Sequence, residues 1–422
     1  MNFHSKPLRK SSYIAQKQTL DKSTKQPAAT LVVRRIVRFT VVALSCVLAL
    51  AATPVLAQYR QRNLVSDKAG SARYTDPNLV DAWGMVALPN GGGFVVANAL
   101  SGTLSFYAPD GKTLRPPVIV PPAPGLPPGT LGSPVGLTAN PSPGFVISKN
   151  GKSAPALFMV STLDGLICGW NPKVDPDDAV VIIDNSTLTP FPASYTDLTM
   201  ARNKYGQMVI YAVDSGATLT QSNNDVEIYD SKFNLLRRFT DPTVPSDMTA
   251  FAARIVNRNV YITYAGFTPP FGGVVDIYDT EGNFLRRFAA NGPEGPLHAP
   301  WEAVLAPANF GWVSHQLLIG EVGSGDISVF NPTTGRYLGQ LTDAHGRPIF
   351  IEGVWTLSFA RPEPGDQPPH LYFTSGDAFP PDYYPSLFGV ITVGEGNDDQ
   401  TTAATPHVPR FHTRTRSAVQ NP

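Results

Sequence analysis

Two segments of the chain, 49 residues apart, are nearly identical. Residues 226–239 read Val-Glu-Ile-Tyr-Asp-Ser-Lys-Phe-Asn-Leu-Leu-Arg-Arg-Phe, and residues 275–288 read Val-Asp-Ile-Tyr-Asp-Thr-Glu-Gly-Asn-Phe-Leu-Arg-Arg-Phe. Each alternates apolar and polar residues, reaches a polar turn and resumes, a pattern typical of a β-hairpin. Weaker copies place Tyr107, Trp170, Tyr229, Tyr278, Phe330 and Ile391 at equivalent positions, with spacings of 63, 59, 49, 52 and 61 residues. A repeat of this period predicts a chain built of similar, stacked units.

A second series of apolar segments precedes the hairpins in the same order. It starts at Trp83, Val135, Asp197, Ala252, Trp301 and Trp355, and a β-rich run follows each segment. Six units of three or four short strands predict an all-β protein, a six-bladed β-propeller. The 41 prolines exclude a mainly helical fold, because an internal proline breaks a helix. We expect the strand around residues 62–65 to join the last blade, since the sheet would otherwise keep an open edge.

Residues 1–57 differ in composition from the rest of the chain. A basic segment ending at Arg38 is followed by an apolar run, Phe39 to Ala52, and by Val55-Leu-Ala57, which is the order of regions in a secretory signal peptide. We expect cleavage after Ala57, a propeller over residues 58–394, a disordered tail over 395–422, and a periplasmic or secreted location. An uncleaved membrane anchor is the alternative, because 19 residues from Phe39 to Ala57 can just span a bilayer. No second run of that length follows.

The formal net charge of zero conceals an asymmetry along the chain. Residues 1–57 contain nine Lys or Arg and one Asp, which leaves 24 basic and 32 acidic side chains in the remainder, a net charge of −8. Nucleic acid is therefore disfavoured as a partner, whereas a cation or a neutral ligand is not.

Several segments together resemble a known family. They include Asn63-Leu-Val-Ser-Asp67, Thr75-Asp-Pro-Asn-Leu-Val80, Gly169-Trp-Asn-Pro172, Ala299-Pro-Trp301 and Gly353-Val-Trp355. In this order they resemble an uncharacterised family of exported bacterial six-bladed β-propellers, loosely akin to proteins with NHL-type repeats. The resemblance covers about Arg62 to Val393, and it implies fold and export but no substrate or catalytic residue. Members typically have Gly after Trp where this chain has Glu302 and Thr356.

These departures from glycine belong to a single repeat position. It is occupied by Gly84, Gly136, Asp197, Ala252, Glu302 and Thr356, at spacings of 52, 61, 55, 50 and 54 residues. If the series is the innermost strand of each blade, these residues ring one mouth of the central channel, and Glu352 lies near the same mouth. Carboxylate oxygens converging on a channel suit a hard cation such as Ca²⁺, so Asp197 and Glu302 are candidate metal ligands. Isolated solvated carboxylates are the alternative.

Other candidates have weaker signals. Tyr383 and Tyr384 fall in a Pro-rich loop of the last blade, where exposed aromatic rings can stack on a sugar or a peptide. The acidic residues 175, 177 and 178 lack the spacing of an EF-hand and predict a solvated turn. Trp83, Trp301 and Trp355 are expected to pack between blades. The usual catalytic motifs are absent, and Cys168, the only cysteine after Ala57, is expected to be a buried apolar residue.

The sequence leaves open whether the protein is an enzyme. We expect an exported, monomeric, non-catalytic propeller that binds an envelope or extracellular protein, a glycan or a small ligand through loops on one face. The alternative is a Ca²⁺-dependent hydrolase of the lactonase type, with Asp197 and Glu302 as ligands, because six-bladed lactonases hold a metal in their channel. A quinone-dependent sugar dehydrogenase ranks last, since no His-plus-Arg set is recognisable.

Overall fold

The computed structural model describes residues 58–216, 223–266, 269–359, 369–376 and 384–394. Within those ranges the chain forms 27 strands and two short 3₁₀ helices, Pro89–Gly91 and Gly311–Val313. The strands make six sheets of four or five strands and one separate hairpin. The six-bladed β-propeller expected from the repeats is confirmed. Neither helix in these ranges has the length and apolar character needed to cross a membrane.

Each blade is a meander whose first strand lies innermost. Blade 1 contains β3 (Ala82–Ala87), β4 (Phe94–Asn98), β5 (Thr103–Tyr107) and β6 (Val118–Ile119). Blade 2 contains β7 (Pro134–Ala139), β10 (Phe158–Thr162), β11 (Leu166–Trp170) and β12 (Val180–Asp184), with the hairpin β8 (Val146–Lys149) and β9 (Lys152–Pro155) inserted after β7. Blade 3 contains β13 (Tyr195–Arg202), β14 (Met208–Asp214), β15 (Asp225–Tyr229) and β16 (Leu235–Phe239).

The remaining blades follow the same plan. Blade 4 contains β17 (Thr249–Val256), β18 (Asn259–Ala265), β19 (Gly273–Tyr278) and β20 (Phe284–Asn291). Blade 5 contains β21 (Pro300–Leu305), β22 (Leu317–Glu321), β23 (Ile327–Phe330) and β24 (Tyr337–Gln340). Blade 6 contains β25 (Val354–Phe359), β26 (Leu371–Ser375) and β27 (Leu387–Gly394), and it is completed by β1 (Gln58–Ser66) and β2 (Tyr74–Thr75).

The ring is closed by the first strand of the described chain. β1 pairs antiparallel with β27, from Gln58 opposite Gly394 to Ser66 opposite Leu387. Tyr59 is fully buried, its ring centroid lies 5.1 Å from that of Phe310, and its hydroxyl donates to the Phe310 carbonyl oxygen at 2.7 Å. The expectation that the strand around residues 62–65 joins the last blade is therefore confirmed.

The hydrophobic core is divided among the blade interfaces. Six clusters of buried side chains each combine residues from two adjacent blades, and a seventh lies on the propeller axis. Cys168 belongs to the cluster between blades 1 and 2 and is fully buried, as expected. Because every blade covers the apolar face of the next, only a closed ring buries all of these surfaces.

Candidate functional site

The innermost strands surround the channel and share one irregularity. We call the end of the channel where they begin the upper end and the other the lower end. Each has a shift in pairing register near its start, for example between Ala82 and Met85 in β3 and between Pro300 and Ala303 in β21. The six residues of the predicted ring lie at or directly after these β-bulges. A β-bulge changes the direction in which side chains leave the strand, so the side chains of the ring residues are not required to point at the channel axis.

The two ring glycines show where these positions point. A Cβ on Gly84 would lie 2.2 Å from the carbonyl oxygen of Val135, and a Cβ on Gly136 would lie 2.5 Å from the Cα atom of Asp197. Both distances are far below a van der Waals contact, so the inner strands of blades 1 to 3 approach closely there. The ring position thus faces the next inner strand.

Asp197 and Glu302 are joined by an arginine that the sequence reasoning did not single out. Arg254, in β17 of blade 4, donates from Nη1 to Oδ2 of Asp197 and from Nε to Oε1 of Glu302, the latter at 2.6 Å. Oδ2 of Asp197 also accepts the Ala253 amide at 2.9 Å. We call Asp197, Arg254 and Glu302 the channel triad. One sequence signal could have identified Arg254. It lies two residues after Ala252, the blade 4 member of the ring, and residues two apart lie on the same face of a strand.

Burial dominates the electrostatics of the channel triad. The Asp197 side chain is fully buried, that of Glu302 is 3% exposed and that of Arg254 is 16% exposed. Burial raises the pKa of Asp197 to about 6, with the negative charge of Glu302 adding to the rise and Arg254 opposing it. Burial alone would lower the pKa of Arg254, but the two carboxylates raise it above its ordinary value. One guanidinium cannot neutralise two carboxylates, so the ionised triad carries one net negative charge.

Above the triad, four aromatic rings fill the propeller axis. Trp83 stacks on Trp355 with centroids 3.7 Å apart, while Trp301 meets both rings edge-on, at 5.2 and 4.9 Å. Phe251 lies 4.9 Å from Trp301 and 5.9 Å from Trp355. These residues come from blades 1, 4, 5 and 6 and each directly precedes a ring residue. The tryptophans therefore pack across the channel as well as between neighbouring blades.

Below the aromatic layer lies a cavity of about 170 Å³. All six blades contribute to its lining, which comprises Met85, Leu137, Leu198, Thr199, Arg254, Glu302, Thr356, Leu357 and Ser358. Thr356 donates its hydroxyl to the carbonyl oxygen of Trp83 at 3.0 Å, which ties blade 6 to blade 1. Of the six ring residues, Glu302 and Thr356 line this cavity. The cavity is comparable in volume to engineered protein cavities of about 150 Å³ that hold benzene.

A second group of carboxylates lies in blade 3, outside the channel. Oxygen atoms of Asp214, Asp225 and Glu227 lie within 4.8 Å of one another, a spacing that can hold a metal ion. Glu227 accepts hydrogen bonds from the hydroxyls of Tyr195 and Tyr229, at 2.6 and 2.5 Å, and a salt bridge from Arg238 at 2.6 Å. Burial and the charges of Glu227 and Asp214 raise the pKa of Asp225 to about 7. The sequence reasoning missed this cluster, although Glu227 lies in the strongest repeat.

The arginine pairs of that repeat have divided roles. Arg238 and Arg287 reach back to the buried carboxylates Glu227 and Asp276 of the adjacent strand, while Arg286 donates to the Thr333 carbonyl oxygen of the next blade. Arg237 likewise donates to Glu281 and Asn283 of blade 4.

The structure distributes the other predicted residues over several places. Glu352 lies in the turn before β25 and does not line the cavity, and Tyr384 lies just before β27 with 37% of its surface exposed. Tyr383 lies outside the described residues, as do the predicted signal peptide and tail. In the acidic turn, Asp175 and Asp178 both pair with Lys149, at 2.7 and 3.2 Å.

Comparison with known proteins gives relatives of unknown activity. No family model matches the chain. The chain is 29% identical over 232 residues to the uncharacterized protein R640 of Acanthamoeba polyphaga mimivirus, a match to 51% of this chain and 40% of that protein. It is 27% identical over 318 residues to the uncharacterized protein L690 of the same virus, covering 72% of this chain and 79% of that one.

Solved structures align with this chain at low sequence identity. A luciferin-regenerating enzyme aligns with a TM-score of 0.48 and 13% identity, over 74% of this chain and 91% of that one. Such a likeness concerns the fold alone and carries no argument about activity. By its own sheet topology the chain is a six-bladed β-propeller, and its relatives include uncharacterised viral proteins.

Proposed function

We propose that this protein is a non-catalytic binding propeller that takes one small ligand in the lower part of its central channel. The observation that carries the proposal is the cavity below the aromatic layer. All six inner strands line it, Trp83, Trp301 and Trp355 block the axis above it, and a guanidinium and a carboxylate lie in its wall. Convergent polar groups in a concave site are what fixes the orientation of a small ligand.

The position of Arg254 favours binding of a ligand over binding of a metal. A divalent cation held by Asp197 and Glu302 would compete with a guanidinium that already contacts both. Two like-charged species cannot share this space, so Arg254 would have to leave its buried partners. The assignment of Asp197 and Glu302 as Ca²⁺ ligands in a lactonase-type hydrolase stays a prediction, and it is the alternative that the experiment must separate.

The proposal is tested by ligand-observed NMR on the purified protein with a library of small polar molecules. Ser358→Trp fills the cavity from a half-buried wall position, and Ser148→Trp makes the same change on the exposed hairpin in blade 2. We expect hits whose saturation-transfer signal persists in Ser148→Trp and disappears in Ser358→Trp. Hits that are insensitive to Ser358→Trp would contradict a ligand site in the channel.

The metal alternative has its own readout. The thermal midpoint is measured with Ca²⁺ and with EDTA, for the wild type and for Glu302→Ala. We expect the same midpoint in both solutions. A rise of several degrees with Ca²⁺ that Glu302→Ala abolishes would favour the hydrolase.

Export is proposed from the sequence. Amino-terminal sequencing of the protein recovered from its native envelope or medium is expected to start at Gln58. An intact residue 1 in that fraction would contradict cleavage after Ala57.

A further inference from the structure

The cavity wall presents a hydrogen-bond donor beside an acceptor. Nε and Nη1 of Arg254 are engaged by Glu302, Asp197 and the Ala253 carbonyl oxygen, and Oε1 of Glu302 is engaged by Arg254 and the Ala303 amide. Within the described part of the chain, no hydrogen bond involves Nη2 of Arg254 or Oε2 of Glu302. Both residues line the cavity, so two N–H donors and a carboxylate oxygen are available there to one ligand.

The remaining lining has two kinds of surface. Met85, Leu137, Leu198 and Leu357 border the cavity, but their side chains pack into the clusters between blades and are at most 7% exposed. Thr199 and Ser358 add two hydroxyls, so the surface open to a ligand is mainly polar. Neither hydroxyl has a hydrogen-bond partner among the described residues. A ligand that fits must therefore be small and carry several hydroxyl-like groups.

The charge of the channel triad selects against ionised ligands. Its net charge is −1, so a small anion would meet repulsion in a site of low dielectric constant. A small cation would meet the Arg254 guanidinium, which separates the two carboxylates. An uncharged molecule avoids both costs, and adjacent hydroxyls can accept from Nη2 and donate to Oε2 at the same time.

We infer that the ligand is an uncharged cyclic polyol the size of one pyranose ring. The inference rests on the proposed function, because it names the ligand class for the same cavity. Two neighbouring hydroxyls would bind Arg254 and Glu302, and further hydroxyls of the ring would bind Thr199 and Ser358. The volume of about 170 Å³ is sufficient for one six-membered ring.

The experiment measures affinities of the purified protein by isothermal titration and saturation-transfer NMR. The probes are the methyl pyranosides of glucose, galactose and mannose, together with glucuronate and glucosamine as matched charged analogues and nicotinamide as a planar amide. We expect at least one neutral pyranoside to bind at least tenfold more tightly than its charged analogues. Ser358→Trp is expected to abolish this binding and Ser148→Trp to preserve it.

Glu302→Gln supplies a second, independent readout. It removes one negative charge from the triad with little change of shape. We expect the neutral pyranoside to weaken about tenfold, because a hydrogen bond to a charged group is lost, and glucuronate to bind more tightly than it does to the wild type. The wild-type ranking of neutral over charged sugars decides the question even if this variant does not fold.

Failure of the inferred ligand class can be distinguished from failure of the proposed channel site. Tighter binding of glucuronate, glucosamine or nicotinamide than of every neutral pyranoside, with sensitivity to Ser358→Trp, would overturn the ligand class and keep the channel site. Binding of pyranosides that Ser358→Trp leaves unchanged would place them elsewhere and overturn the inference. A library without any hit sensitive to Ser358→Trp would overturn the proposed function itself.

Discussion

Replacing Arg254 with alanine should destabilise the propeller more than any change at an exposed arginine. The substitution leaves a fully buried Asp197 and a 3% exposed Glu302 as neighbouring charges without their shared cation. Each carboxylate is in salt-bridge contact with the guanidinium, and opposite unit charges about 4 Å apart at an effective dielectric constant of about 20 attract by about 4 kcal/mol. Removal of one partner from a buried ion pair typically costs about 3–5 kcal/mol, because an uncompensated charge remains. We expect a loss of that size in the free energy of unfolding at pH 8.

The assay is urea unfolding of the purified variants, followed by fluorescence and by far-UV circular dichroism. Arg237→Ala is the matched control, since Arg237 is exposed on β16 and donates to Glu281 and Asn283 of blade 4. Arg237→Ala should lower the free energy of unfolding by less than about 1 kcal/mol. The triple change Arg254→Met, Asp197→Asn and Glu302→Gln should recover much of the loss, because no buried charge is left.

The pH dependence separates lost charge pairing from lost packing. As the pH falls from 8 to 5, Asp197 of the Arg254→Ala variant takes up a proton, because burial raises its pKa and Arg254 no longer lowers it, and its repulsion with Glu302 disappears. The stability difference from the wild type should therefore shrink. A difference of less than 1 kcal/mol at pH 8, or one that does not change with pH, would refute the argument that Arg254 compensates buried charge.

Three further predictions concern other parts of the fold. Since the folded pKa of Asp197 is about 6 against an ordinary value of 3.8, the folded state binds an extra proton between about pH 4 and 6. The wild type should lose about 3 kcal/mol of stability as the pH rises through that window, and Asp197→Asn should lack this component in urea titrations at each pH. Trp301→Ala should lower the free energy of unfolding by about 3–5 kcal/mol and reduce the near-UV circular dichroism of the aromatic layer. The control Tyr205→Ala, at a residue that is 72% exposed, should lower it by less than about 0.5 kcal/mol. Tyr59→Ala should lower stability by about 3–5 kcal/mol and speed amide exchange in β1 and β27; unchanged exchange there would contradict the closing role of β1.

The architecture could be predicted from the sequence because it repeats. Two series of similar segments alternate along the chain, one that includes Tyr229 and Tyr278 and one that includes Trp301 and Trp355. Their constant order shows which strands are equivalent and therefore how many blades there are. Closure by β1 followed from the physical cost of an open sheet edge. Such features depend on local pattern and period, which a single sequence contains.

The chemistry of the channel could not be predicted in the same way. The ring position identified Asp197 and Glu302 but not their shared partner, because Arg254 stands two residues away in a blade between them. The register shifts of the inner strands turn the ring residues toward the next strand. The spacing between repeats in the sequence does not reveal where such a β-bulge lies. Likewise, Trp83 and Trp355 meet across the axis only when the ring is closed.

The cluster of carboxylates in blade 3 could not be predicted from the sequence either. Asp225 and Glu227 lie in a visible repeat, yet Asp214 belongs to the preceding strand and joins them only through pairing with Asp225. Long-range pairing of this kind is a property of the sheet register.

The account is tested most directly by a crystal structure of the protein grown with Ca²⁺ and soaked with the tightest-binding methyl pyranoside. We predict a pyranose ring in the cavity below Trp83, Trp301 and Trp355, with hydroxyls within hydrogen-bond distance of Arg254 Nη2 and Glu302 Oε2, and Arg254 still joined to Asp197. A calcium ion bound by Asp197 and Glu302, with Arg254 displaced and the sugar elsewhere, would contradict it.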